Sequence, residues 1–97
     1  MSVRILATTT TNPAGGEAAV EAYLELVGPL MERAGAQVVD RYEVAYSISG
    51  ATPSQFVSII EYPDEDAVRS VFDDPSYLAG KAVRDAAFSQ YDVCVLR

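Results

Sequence analysis

The stretch FVSIIEYPDEDAVRSVFDDPSYLAGKAVR, Phe56 to Arg84, decides the fold. Its first seven residues, Phe56 to Tyr62, are rich in β-branched and aromatic side chains and read as a strand, which Pro63 ends because it has no N–H for a ladder. Asp64 offers a side-chain oxygen to the free amides of a helix start, and Val68, Val71 and Phe72 follow at helical spacing. A short helix is expected from about Glu65 to Asp73. Asp73-Asp74-Pro75 then restarts the chain, with Asp74 as cap and Pro75 at the first helical position, and a second helix is expected to run to about Phe88.

Outward from this stretch the chain alternates in the same way. Val3 to Thr9 reads as a first strand and Asn12 to Gly16 as the turn that ends it. From about Glu17 to Ala34, Val20, Tyr23, Leu24, Val27, Met31 and Ala34 recur at three- and four-residue steps, so one buried helix face is expected. Pro29 cannot donate to the carbonyl of Glu25, which predicts a kink within one helix, since the apolar stripe stays in phase. Gln37 to Ser49 reads as a long strand, Gly50-Ala51-Thr52-Pro53 as a hairpin turn, and Gln90 to Leu96 as the last strand. The order β-α-β-β-α-β predicts an α+β fold of the ferredoxin-like type, an antiparallel four-stranded sheet in a single domain over residues 1–97.

The strands do not alternate apolar and polar residues as a sheet with one wet face would. Phe56, Ile60 and Tyr62 point one way and Val57 and Ile59 the other; Val93 and Val95 oppose Cys94 and Leu96. Helices cover one face only, and the other would expose a large apolar patch, so a homodimer with sheets face to face is expected.

Composition narrows the function. The 97 residues hold 14 acidic and seven basic side chains, a net charge of −7, and the basic residues are scattered, which argues against nucleic acid and against an anionic membrane surface. No apolar run approaches a membrane span and no leader is recognised, so a cytoplasmic protein is expected. With no histidine and one cysteine, Cys94, the usual neutral-pH proton shuttle and the commonest metal ligand are both missing. Cys94 sits in an apolar strand and is read as a packed thiol. Without a glycine-rich phosphate loop or a cysteine pair, no metal or other cofactor is expected.

Candidate site residues are therefore Glu, Tyr, Lys and Arg. Glu61 is a carboxylate in an otherwise apolar strand and a candidate general base, or else an anchor for an arginine or a solvated strand end. Tyr77, Lys81, Arg84 and Phe88 follow i, i+4, i+7, i+11 and are expected on one helix face, where phenol, ammonium and guanidinium converge on an anionic or enolate-like oxygen; a salt bridge from Arg84 to Glu61 or Asp85 is the structural alternative. Arg41 and Glu43 share one face of the second strand, and Asp40, Tyr42 and Tyr46 the other. Six tyrosines without a tryptophan fit an apolar cavity dotted with hydroxyls.

The string IIEYPDEDAVRSVFDDPSYLAGKAVRDAA, with Tyr23, Val27, Pro29 and the run Arg33 to Arg41 upstream, resembles the family known as domain of unknown function 1330. The resemblance implies a dimeric α+β barrel, a fold shared with small cofactor-free monooxygenases, lactone isomerases and polyketide cyclases. Glu61, Tyr77 and Arg84 fall on positions that signature marks, and Arg41 on its strand arginine. The resulting expectation is a cofactor-independent cyclase, isomerase or monooxygenase acting on an apolar oxygenated molecule. In it Glu61, Tyr77 and Arg84 are catalytic, and Arg41, Tyr46, Tyr23 and Lys81 contact the ligand. The alternative is a non-catalytic ligand-binding or scaffold homodimer.

Overall fold

The computed structural model describes residues 2–97. The chain runs β1 (Val3–Thr11), α1 (Gly16–Arg33), β2 (Gln37–Glu43), β3 (Phe56–Tyr62), α2 (Glu65–Phe72), α3 (Pro75–Ala79), α4 (Lys81–Ala87) and β4 (Phe88–Val95). The strands form one four-stranded sheet in the order β2-β3-β1-β4, every neighbour antiparallel. This is the expected ferredoxin-like α+β arrangement.

The local signals act as the residue types dictate. Asp64 caps α2 by accepting from the Ala67 amide at 2.7 Å, and Asp74 caps α3 by accepting from the Ser76 amide at 2.8 Å, with Pro75 in the first turn. Pro29 stays inside the single helix α1. Gly80 divides the expected second helix into α3 and α4: a Cβ there would meet the tip of the Leu26 side chain, which would have to turn aside, so glycine lets this junction lie close against α1. Past that break the helical phase is lost. Tyr77 is buried, Arg84 half-buried and Lys81 exposed, so the shared face expected for them does not form.

β2 is also shorter than expected, ending at Glu43 rather than near Ser49. A register shift between Val38 and Asp40 bends the strand, and Val44 to Gln55, 2.8 Å, is the last backbone bond before the chain leaves the sheet. Ser47 then spends its hydroxyl on the Ser49 carbonyl, 2.9 Å, and Gly50 takes φ 96°, a local turn that competes with strand pairing.

Registers place Ile5 between Ile60 and Val95, Ala7 between Ser58 and Val93, and Thr9 between Phe56 and Tyr91 on the face toward the helices. The core lies there, built from Ile5, Tyr62 and Val71 with Val27, Leu30 and Val68. By alternation Leu6, Val57, Ile59 and Cys94 occupy the opposite face, which no helix covers; Cys94 is exposed, where a packed thiol was expected. Among the described residues no helix is long and apolar enough to cross a membrane.

Candidate functional site

A cavity of about 450 Å³ lies between α1 and the sheet. Its origin is in the strand residues: the middle of the floor carries Ala7, Thr9 and Ser58, too short to reach the helix, while Phe56, Ile60, Phe88 and Tyr91 stand around them. The cavity opens beside β2, where Leu24 and Val38 are 54% and 59% exposed. Arg41 stands at this side, its guanidinium 5.3 Å from the centre of the Phe56 ring.

Three tyrosine hydroxyls from three elements meet at the wall. Tyr23 of α1 lies 3.2 Å from Tyr77 of α3 and 2.8 Å from Tyr91 of β4, and Tyr77 lies 2.7 Å from Tyr91. Edge-to-face packing of Tyr23 on Phe88 and of Phe72 on Tyr77 holds the rings in place. Three hydroxyls carry three protons, so a closed triangle satisfies every donor and leaves each oxygen able to accept once more. Burial raises the Tyr23 pKa above the ordinary phenol value, with the Tyr91 and Tyr77 oxygens adding to it. Burial also raises Tyr91, against an opposing pull from its hydrogen bond with Tyr23 and from the Arg84 charge. Both remain neutral donors at physiological pH.

Tyr62 is 1% exposed and lines the same cavity, yet its hydroxyl is the one buried side-chain polar atom without a hydrogen-bond partner among the described residues. Burial, with a smaller effect from Tyr77, pushes its pKa up to about 12. An unmet buried hydroxyl costs about 1–3 kcal/mol.

Arg84 sits behind the triangle, 5.2 Å from the centre of the Tyr91 ring. The Tyr77 oxygen beside it raises the pKa of the guanidinium, burial opposes this, and Asp85 lies 3.7 Å away. A second depression of about 520 Å³ opens here on the β4 side, lined by Tyr77, Arg84 and Asp92. Phe72 and Tyr91 form a wall common to it and to the cavity.

The structure therefore brings Tyr23, Tyr77 and Arg84 together and sets Arg41 at the cavity mouth. Glu61 is elsewhere: it pairs with Arg4 at 3.1 Å on the sheet face away from the helices, because odd and even positions of a strand point to opposite sides. Lys81 pairs with Asp85 at 2.6 Å on the outside of α4, and Tyr46 is 78% exposed in the segment 44–55. Sequence reasoning passed over Tyr62 and Tyr91 as site residues. Tyr62 shares the strand parity of Phe56 and Ile60, and Tyr91 that of Val93 and Val95, so parity was the signal available for both.

Comparison with known proteins agrees with this architecture. The chain is similar over 98% of its length to a protein of unknown function from Rhodopseudomonas palustris, at 26% identity and a TM-score of 0.85, covering 80% of that chain. A dimeric ferredoxin-like protein of unknown function from Thermobifida fusca matches 99% of this chain and 90% of its own, at 18% identity and a TM-score of 0.58. SnoaB, a cofactor-independent oxygenase from Streptomyces nogalater, matches 99% of this chain and 91% of its own, at 17% identity and a TM-score of 0.64. No curated protein matches. The family described as domain of unknown function (DUF1330) matches residues 5–97, and the chain belongs to that family.

Proposed function

We propose that this protein is a cofactor-independent enzyme that binds an apolar, oxygenated small molecule between α1 and the sheet and stabilises an enolate or phenolate oxygen on it. The observation that carries the reading is the meeting of the neutral hydroxyls of Tyr23 and Tyr91 with that of Tyr77 at the wall of a mostly apolar cavity. Charge that develops on a ligand oxygen attracts donors already in place. Tyr23 or Tyr91 can turn a proton from the triangle to the ligand while still accepting from its neighbour. The exchanged bond is stronger than the lost one because its acceptor is charged.

The cavity lining contains no carboxylate. The carbon acid's proton therefore passes to water or hydroxide, and the protein's part is to lower the energy of the oxyanion left behind. A fold shared with a cofactor-independent oxygenase is in keeping with this chemistry. Deuterium exchange at the carbon next to the carbonyl of 2-tetralone, an apolar enolisable ketone, followed by NMR in heavy water, tests the reading. Acceleration over buffer, reduced about tenfold or more in Tyr91→Phe, is expected. An exchange rate equal to buffer refutes it, and 2-naphthol binding without exchange assigns the cavity to a non-catalytic carrier.

The same reading makes the working unit a homodimer joined through the open face, on which Leu6, Val57 and Ile59 lie with no helix over them. Ile59→Lys is expected to halve the mass seen by light scattering without changing the helical circular dichroism. A wild-type chain that already scatters as a monomer at micromolar concentration overturns this part.

A further inference from the structure

Arg41 gives the cavity a charge of its own. It is the one formally charged residue in a lining that otherwise consists of apolar side chains and hydroxyls. Among the described residues it makes no ion pair, whereas Arg4, Arg69, Lys81 and Arg84 each have a carboxylate partner. The Phe56 ring, 5.3 Å away, supports its guanidinium from one side and leaves the edges of the planar fork free. Leu24 and Val38 flank the same opening. The protein as a whole carries −7 and repels anions, and within the cavity lining Arg41 is the residue whose charge opposes that.

We infer that the ligand is an aromatic or alicyclic carboxylate, with its carboxylate held by Arg41 at the β2 side, its ring over Ala7 and Ser58, and its far oxygen at Tyr23 and Tyr91. This deepens the reading above and rests on the same cavity. A planar fork and a carboxylate match in two parallel hydrogen bonds, whereas a neutral hydroxyl takes one and leaves the second donor to water. A bicyclic acid with a hydroxyl at the far end has the polarity the cavity has: charged at one end, apolar in the middle, hydrogen-bonding at the other.

Calorimetric titration with two probes, 2-naphthol and 6-hydroxy-2-naphthoate, tests this on the wild type and on Arg41→Met, which keeps an apolar stem on Phe56 and removes the charge. The wild type is expected to bind 6-hydroxy-2-naphthoate roughly tenfold more tightly than 2-naphthol, the size of one charge-assisted pair. Arg41→Met is expected to lose that preference and keep its affinity for 2-naphthol. Equal affinity for the two probes in the wild type, or a preference that survives Arg41→Met, overturns the inference and leaves the tyrosine site standing. If neither probe binds, both fall.

Discussion

Filling the cavity floor reverses the usual sign of a large-for-small substitution. Ala7 lies on β1 between Ser58 and Val93, below α1, with the cavity above it. Ala7→Val adds two carbon atoms that need displace nothing, and burying them contributes about 0.8 kcal/mol each, some 1.5 kcal/mol in all. Valine also suits an extended backbone better than alanine does. For a chain of 97 residues this raises the thermal midpoint by about 6–12 °C. In a tightly packed interior the same change forces neighbours apart and costs about 1–3 kcal/mol, a fall of comparable size. Thermal unfolding followed by far-ultraviolet circular dichroism reads the sign directly, and titration with 2-naphthol reads the matching loss of ligand space. A lowered midpoint with unchanged 2-naphthol affinity would falsify the assignment of this space as the ligand chamber.

Other perturbations probe the wall and the far face. Tyr77→Phe removes the hydroxyl that lies 2.7 Å from Tyr91 and 3.2 Å from Tyr23 but leaves those two 2.8 Å apart, so urea unfolding is expected to show a loss of about 1–2 kcal/mol. Glu61→Gln breaks a pair with Arg4 whose side chains are 33% and 54% exposed; a loss under about 1 kcal/mol and an unaltered 2-tetralone exchange rate are expected, and a collapse of exchange would return Glu61 to the reaction centre. The pH dependence follows from Tyr62, raised in the folded protein to about 12, and from Tyr23 and Tyr91, raised in the same direction. A phenol that holds its proton more tightly when folded contributes its full stability below the unfolded value of about 10 and loses it as pH climbs through the folded value. Urea midpoints should therefore be level up to about pH 10 and fall above it, with the phenolate absorbance of these three residues appearing only as the fold is lost. Phenolate from all six tyrosines in a still-folded protein at that pH would contradict the burial argument.

Much of the architecture is written locally. The strand from Phe56 to Tyr62, the caps Asp64 and Asp74 and the apolar steps from Val20 to Leu30 each act within a few residues, through alternation, capping and helical period. That is why the order of elements and the antiparallel sheet followed from reading alone. Parity also separated the two faces of each strand, though it could not say which face the helices would take. The register shift between Val38 and Asp40 depends on pairing with β3, and the close approach of Leu26 to Gly80 on the packing of α1; both are contacts between distant parts of the chain.

The site divides along the same line. Arg41, Tyr23, Tyr77 and Arg84 could be singled out because charge and phenol stand out in an apolar pattern; Arg41 and Tyr23 line the cavity, while Tyr77 and Arg84 lie beside it in the second depression. Glu61 stood out for the same reason and landed behind the sheet, since one step along a strand reverses the direction of a side chain. Tyr91 lies 68 residues from Tyr23 and 14 from Tyr77, and no spacing rule connects them. The amino-acid order determined which segments coil, which extend and which positions carry hydroxyls and charge. Only the packing of α1, α3 and β4 against one another decided that three of those hydroxyls would meet and that short side chains at Ala7 and Ser58 would leave room beside them, because a void is a property of the residues that face each other across it.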